Sequence, residues 1–143
     1  MPADSGVPRF YDLSGYTILV IDDHEDSLFL VLELLRHCHA DVIGASDTDE
    51  ARRILHERIP DLIITDLNLP RETGLQFAEW VREAAPNEML RRAPIIAITA
   101  TSPRITVAGH PAIDAFVRKP IELDHICEVI SEVLRQRRPP SKP

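Results

Sequence analysis

Asp61-Leu62-Ile63-Ile64-Thr65-Asp66-Leu67-Asn68-Leu69-Pro70 contains a short apolar run, Leu62 to Thr65, that ends on a single carboxylate, Asp66. A run of this length and composition predicts a strand covered on both faces. In open parallel α/β sheets, ligands gather outside the carboxyl ends of the strands. Asp66 is therefore a candidate for chemistry, and the flanking sequence decides what kind.

Upstream, Thr17-Ile18-Leu19-Val20-Ile21 reads as a second buried strand, and it ends at Asp22-Asp23. Asp26 or Ser27 can cap a helix running through Cys38, with Leu28, Val31, Leu32 and Leu35 facing the core. Asp41 to Ala45 reads as a strand. Asp47 with Glu50 three residues later resembles a capping box, opening a helix with Ala51, Ile54 and Leu55 inward. Downstream of Pro70, the loop Arg71-Glu72-Thr73-Gly74 leads to a helix from Leu75 to about Glu83, with Leu75, Ala78 and Val81 at three-residue spacing. Pro86 and Pro94 bracket a polar connection. Pro94 to Thr99 is a fourth strand ending in a hydroxyl, and Ala115 to Arg118 is a fifth ending at Lys119-Pro120. Leu123, Ile126, Cys127, Ile130, Val133 and Leu134 then mark one face of an amphipathic helix. Between the last two strands, Thr101 to Asp114 holds Pro103, Gly109 and Pro111, so a fourth helix there is expected to be short, distorted or missing. Strands alternating with helices imply an α/β fold, a doubly wound five-stranded parallel sheet with helices on both faces.

The 143 residues suffice for one domain with a full core. The expected division is an irregular extension over 1–15, the domain over 16–136 and a basic Pro-rich tail over 137–143. No apolar run reaches the roughly 18 residues of a membrane span, and no secretory signal is visible, so cytoplasm is the expected compartment. Cys38 and Cys127 lack metal-ligand spacing and are expected to be free thiols. A net charge of −7 argues against nucleic-acid binding by the domain.

Four strand ends thus carry polar groups to one rim: Asp22 and Asp23, Asp66, Thr99 and Lys119. Three carboxylates so placed repel one another and call for a counter-charge. A hard divalent cation such as Mg²⁺ suits them. One carboxylate can then act as nucleophile towards a phosphoryl group, with Lys119 as a point positive charge and Thr99 as a hydrogen-bond donor. Lys119 is distinctive because the chain otherwise prefers arginine, with fourteen Arg to two Lys. No phosphate-binding loop of the GxxxxGK[ST] or GxGxxG type is present, so a bound nucleotide is not the expected donor.

These residues resemble the receiver domain of two-component response regulators, single-domain type. The acidic pair Asp22-Asp23, the segment Asp66-Leu67-Asn68-Leu69-Pro70 with Gly74 beyond it, Thr99-Ala100 and Lys119-Pro120 occur in the family's order over about residues 17–135. The resemblance implies a flavodoxin-like (βα)5 fold. It implies that Asp66 takes a phosphoryl group from a histidine kinase or histidine phosphotransfer protein. Asp22, Asp23, Asp66 and the Asn68 backbone carbonyl would hold Mg²⁺, and Lys119 would pair with the phosphoryl group. Thr99 and Phe116 would be the switch residues, and the Lys119–Pro120 bond is often cis in such domains. A domain of this kind is a phosphoacceptor, not a conventional enzyme, with only self-catalysed phosphotransfer and slow autodephosphorylation. It would signal to a downstream protein target, with room for a homodimer and without direct nucleic-acid or membrane binding. Thr73 stands where many relatives have Asp, a change expected to be tolerated because Gly74 makes the turn. Two alternatives are a degenerate receiver used only as a binding module and a Mg²⁺-dependent phosphatase with an aspartyl nucleophile. The phosphatase would need a DxD pattern on the nucleophile strand, where this chain has Asp66-Leu67-Asn68.

Overall fold

The computed structural model describes residues 11–100 and 110–137. The expectation for a short or missing fourth helix concerns mainly 101–109 and lies outside the described residues, as do most of the extension and most of the basic tail. Five strands are present: β1 (Thr17–Ile21), β2 (Asp41–Ala45), β3 (Leu62–Asp66), β4 (Ile95–Thr99) and β5 (Ala115–Arg118). Helices α1 (Glu25–His37) and α2 (Thr48–Glu57) follow β1 and β2, α3 (Gly74–Glu83) and the one-turn α4 (Glu88–Arg91) both lie between β3 and β4, and α5 (Leu123–Arg137) follows β5.

All pairings are parallel and the strand order is β2-β1-β3-β4-β5. From β1 the chain winds outward first to β2 and then the other way to β3. The point of reversal therefore lies between the ends of β1 and β3, where such sheets open a crevice. Side-chain alternation divides the strands between two cores. Ile18, Val20, Leu62, Ile64, Ile96 and Ile98 face one cluster, sealed by α1 and α5. Leu19, Ile21, Ile63, Ile95 and Ala97 face the other, sealed by α2 and α3.

Several local expectations are corrected. The N-cap of α1 is His24, not Asp26 or Ser27, and its side chain makes no capping bond. The helix starts sooner because the Ser27 hydroxyl and the His24 N–H are both drawn to Asp22. At α2, Asp47 accepts from the Glu50 N–H as expected, but Glu50 reaches back to Ser46. The reciprocal capping box is found instead at α3, between Thr73 and Gln76. Thr73 is thus accommodated by its own cap role, and α3 begins at Gly74, burying Phe77 beside Ala78 and Val81 while Leu75 is half-buried. The connection between Pro86 and Pro94 holds α4, capped by Asn87 and anchored by the buried Leu90.

Two further contacts fix the frame. Arg82 of α3 donates to the Arg91 and Ala93 carbonyls and to Asp114, whose carboxylate also accepts the Ile95 N–H at 2.8 Å. That network ties α3 to the starts of β4 and β5. Cys38, at the end of α1, and Cys127, on α5, are buried free thiols with sulfurs 3.4 Å apart. Burial, then the neighbouring Cys38, pushes the Cys127 thiol up to about 12.

Candidate functional site

The site is built where the ladders run out. Asp22 follows β1, and its N–H donates to the Ala45 carbonyl at 3.1 Å. Asp66 is the last residue of β3. The ladder continues past it through the Leu67 N–H to the Ile98 carbonyl at 2.9 Å. Lys119 follows β5, held by its N–H to the Thr99 carbonyl at 2.9 Å. Counting along the pleat, Asp22, Asp66 and Lys119 fall in phase with the residues of the α1/α5 core. Thr99 and Phe116 fall in phase with Ala97, on the α2/α3 side.

Lys119 sits between two carboxylates, with Nζ at 3.1 Å from Asp66 Oδ2 and 3.3 Å from Asp22 Oδ2. Both aspartates are buried, at 3% and 2% exposure, so the lone ammonium faces an excess of negative charge in a place of low polarity. Backbone donors hold the other oxygen of each carboxylate, and the Ser27 hydroxyl adds a bond to Asp22. The Asn68 N–H donates to Asp66 Oδ1 and the His24 N–H to Asp22 Oδ1, both at 3.0 Å. Thr99 is buried, Phe116 half-buried, Asp23 and Asn68 exposed, and the Lys119–Pro120 bond is cis.

The two buried acids respond in opposite directions. Burial is the largest influence on Asp22, but donors from His24, Ser27 and Lys119 outweigh it and hold the carboxyl below its ordinary range. For Asp66 burial prevails over Asn68 and Lys119, with Asp22 adding to it, and the carboxyl is raised. Burial would lower Lys119, yet Asp66 and Asp22 raise it. A raised Asp66 contributes stability below its unfolded pKa, near 3.8, and that contribution is lost as the pH rises through the folded value. Asp66→Asn is therefore expected to stabilise the cation-free protein at pH 7 by about 0.5–2 kcal/mol. The gain should shrink towards pH 4 and on adding Mg²⁺. Thermal melts of both proteins across pH check this, and a destabilised Asp66→Asn at pH 7 would contradict it.

Asp22, Asp23 and Asp66 also meet the donor chemistry of a hard divalent cation, since three carboxylates converge against a single lysine. The sequence reading missed His24. One ligand atom from each of Asp22, Asp23, His24 and Asp66 lies within 4.8 Å of the others, and His24 Nδ1 is 3.4 Å from both Asp22 Oδ1 and Asp23 Oδ1. Its position directly after the acidic pair was the only available signal. Among the described residues no helix is long and apolar enough to cross a membrane.

A family model described as the response regulator receiver domain matches residues 18–131. The polar-differentiation response regulator DivK of Brucella ovis is 29% identical over 123 residues, covering 82% of this chain and 95% of its own length. The structure of the chemotaxis protein CheY4 of Vibrio cholerae superposes with a TM-score of 0.75 at 26% identity, over 83% of this chain and 98% of that one. The signal receiver domain of a signal transduction histidine kinase from Syntrophus aciditrophicus gives 0.75 at 25% identity, over 90% of this chain and 98% of that one.

Proposed function

The chain belongs to the response regulator receiver domain family, and on that premise we propose that Asp66 is the residue that takes the phosphoryl group. Such a domain is a signalling module, not a conventional enzyme, and membership implies a histidine kinase or histidine phosphotransfer protein as its partner. The observation that carries the reading is the Lys119 ammonium set between the buried Asp66 and Asp22 at the point of strand reversal.

In this reading an Asp66 carboxylate oxygen attacks the phosphorus of a phosphohistidine, and the bond to the imidazole nitrogen breaks. Asp22, Asp23, Asp66 and the Asn68 carbonyl would hold Mg²⁺, which would supply positive charge to the phosphoryl oxygens. Lys119 is drawn from Asp66 to the transferred group. The Asn68 N–H, already bonded to Asp66 Oδ1, keeps that carboxylate oriented. Thr99 donates to the phosphoryl group from the neighbouring strand, and Phe116, one strand further and on the same face, repacks in response. Residues 16–136 are the working unit, slow autodephosphorylation resets it, and the signal passes by protein–protein contact to a downstream target in the cytoplasm. The acidic balance of the chain opposes a nucleic-acid target.

Incubation with acetyl phosphate and Mg²⁺, followed by intact mass measurement, tests the proposal. One phosphoryl group is expected on the wild type and none on Asp66→Asn. A wild type that stays unmodified would overturn it in favour of a binding module, and steady multiple turnover of a phosphoester would point to a phosphatase.

A further inference from the structure

The loop between Asp66 and α3 carries Asn68; the next residue, Leu69, is buried in the α2/α3 core, whereas Pro70 and Arg71 beyond it are exposed. Arg71 adopts a φ of +68°, a left-handed conformation that costs a non-glycine residue energy, and its side chain is exposed. One side chain next to it is firmly held. Glu72 receives both nitrogens of the Arg52 fork, Nη1 to Oε1 and Nη2 to Oε2, each at 2.8 Å. The Thr48 hydroxyl adds a third bond to Glu72 Oε1 at 2.6 Å. Arg52 and Thr48 both belong to α2, whose Asp49 also lies 3.8 Å from the Arg71 guanidinium.

The fork is itself fixed from behind. The Arg52 guanidinium lies 4.6 Å from the centre of the Trp80 ring and 5.3 Å from that of Phe77, and those rings stack on each other at 5.7 Å. Phe77 is fully buried in the α2/α3 core. A planar cation bidentate to a carboxylate and stacked on aromatic rings has little rotational freedom. Its rigidity passes to Glu72 and from there to the loop.

We infer that Arg52 and Glu72 form a clamp that positions the Asn68 backbone for metal and phosphoryl binding, making Arg52 a positioning residue for Asp66 although it touches neither. The inference rests on the phosphoacceptor reading given above. The two ends of the loop are set by backbone bonds, Leu67 to β4 and Gly74 back to the Leu67 carbonyl, both near 3.0 Å. Between them Leu69 is held by apolar burial and Arg71 lies 3.7 Å from Asp47 and 3.8 Å from Asp49, while the clamp adds a bidentate, hydrogen-bonded charge contact. Contacts that orient metal ligands from behind change metal affinity by about 10–100-fold when removed.

The test is a Mg²⁺ titration by calorimetry, paired with the acetyl phosphate labelling rate, on wild type, Arg52→Met, Arg52→Lys, Glu72→Gln and the Arg52→Met/Glu72→Gln double variant. Arg52→Met and Glu72→Gln are each expected to weaken Mg²⁺ binding about tenfold and slow labelling similarly. The double variant should be no worse than either alone, because the two act as one unit. Arg52→Lys, with charge but no fork, should fall between. Glu72→Gln keeps its shape and guards against a variant that merely fails to fold. Variants that lose melting temperature while Mg²⁺ affinity and labelling stay at wild-type values would overturn the inference, as would fully additive losses in the double variant. If the wild type itself neither binds Mg²⁺ nor takes a phosphoryl group, the phosphoacceptor reading fails and the inference falls with it.

Discussion

Gly74→Ala is expected to destabilise the protein by about 3 kcal/mol, the upper end of the usual cost of overpacking. A methyl group built there would lie 2.1 Å from the Asp66 carbonyl oxygen and 3.0 Å from the Asp66 carbonyl carbon and Leu67 Cα. These are backbone atoms, so no side-chain rotation can relieve the overlap. Either the start of α3 moves off β3, opening the packing of Phe77, Ala78 and Val81, or Asp66 moves. The substitution should therefore lower labelling of Asp66 as well as stability. Gly44→Ala is the control. Its methyl would meet only the ends of the Leu32 and Leu28 side chains, the nearest at 2.9 Å, which can shift. Urea unfolding of the two variants should show a clear gap, and equal midpoints would contradict the argument.

Lys119→Met should cost a similar amount, about 3 kcal/mol, because it keeps the apolar stem but leaves Asp22 and Asp66 buried without their cation. The figure is set at the low end of the roughly 3–5 kcal/mol cost of breaking a buried pair because the Lys119 side chain is 21% exposed. The sign of the pH dependence follows. Both Asp22 and Asp66 lose a lysine that lowers them, so both folded pKa values rise. A carboxyl raised in the fold contributes stability below its unfolded pKa and loses it as the pH climbs through the folded value. Lys119→Met should therefore recover on acidification from pH 7 towards the region just above 3.8, the ordinary aspartate value. The wild type lacks this recovery for Asp22, whose depressed pKa gives stability that is lost only as the pH falls through the folded value. Mg²⁺ should also raise the melting temperature of the variant more than that of the wild type. Melts at pH 5 and pH 7, with and without Mg²⁺, check all three, and a variant that weakens further at pH 5 would sink the charge argument.

The strands were readable because each is an apolar run with an abrupt polar end. Thr17–Ile21, Asp41–Ala45 and Ala115–Arg118 fall where the runs placed them. The same abruptness exposed Asp22, Asp66, Thr99 and Lys119, since a parallel sheet delivers every such end to one rim. What pairs across the fold was not readable. Arg52 and Glu72 are twenty residues apart, and nothing local distinguishes them from other surface charges. Gly74 looked like a turn residue, whereas its requirement is clearance against the Asp66 carbonyl. Ser27 looked like a cap, but the buried Asp22 carboxylate five residues earlier has the stronger claim on its hydroxyl. Helix α4 is too short for periodicity to reveal, and only Asn87 hinted at it.

The sealed thiols give the protein a built-in clock. Cys38 and Cys127 lie inside the layer between α1 and α5, and Cys127 is held far from its reactive thiolate form. A thiol reagent can act on either only during moments when that layer parts. The labelling rate therefore counts those openings, with no probe added to the chain. Run with and without the phosphodonor, the same count would show whether phosphorylation tightens or loosens the α1/α5 layer. A cysteine introduced elsewhere on the surface would meanwhile react alone, so spectroscopic tags can be attached without first deleting the natural pair.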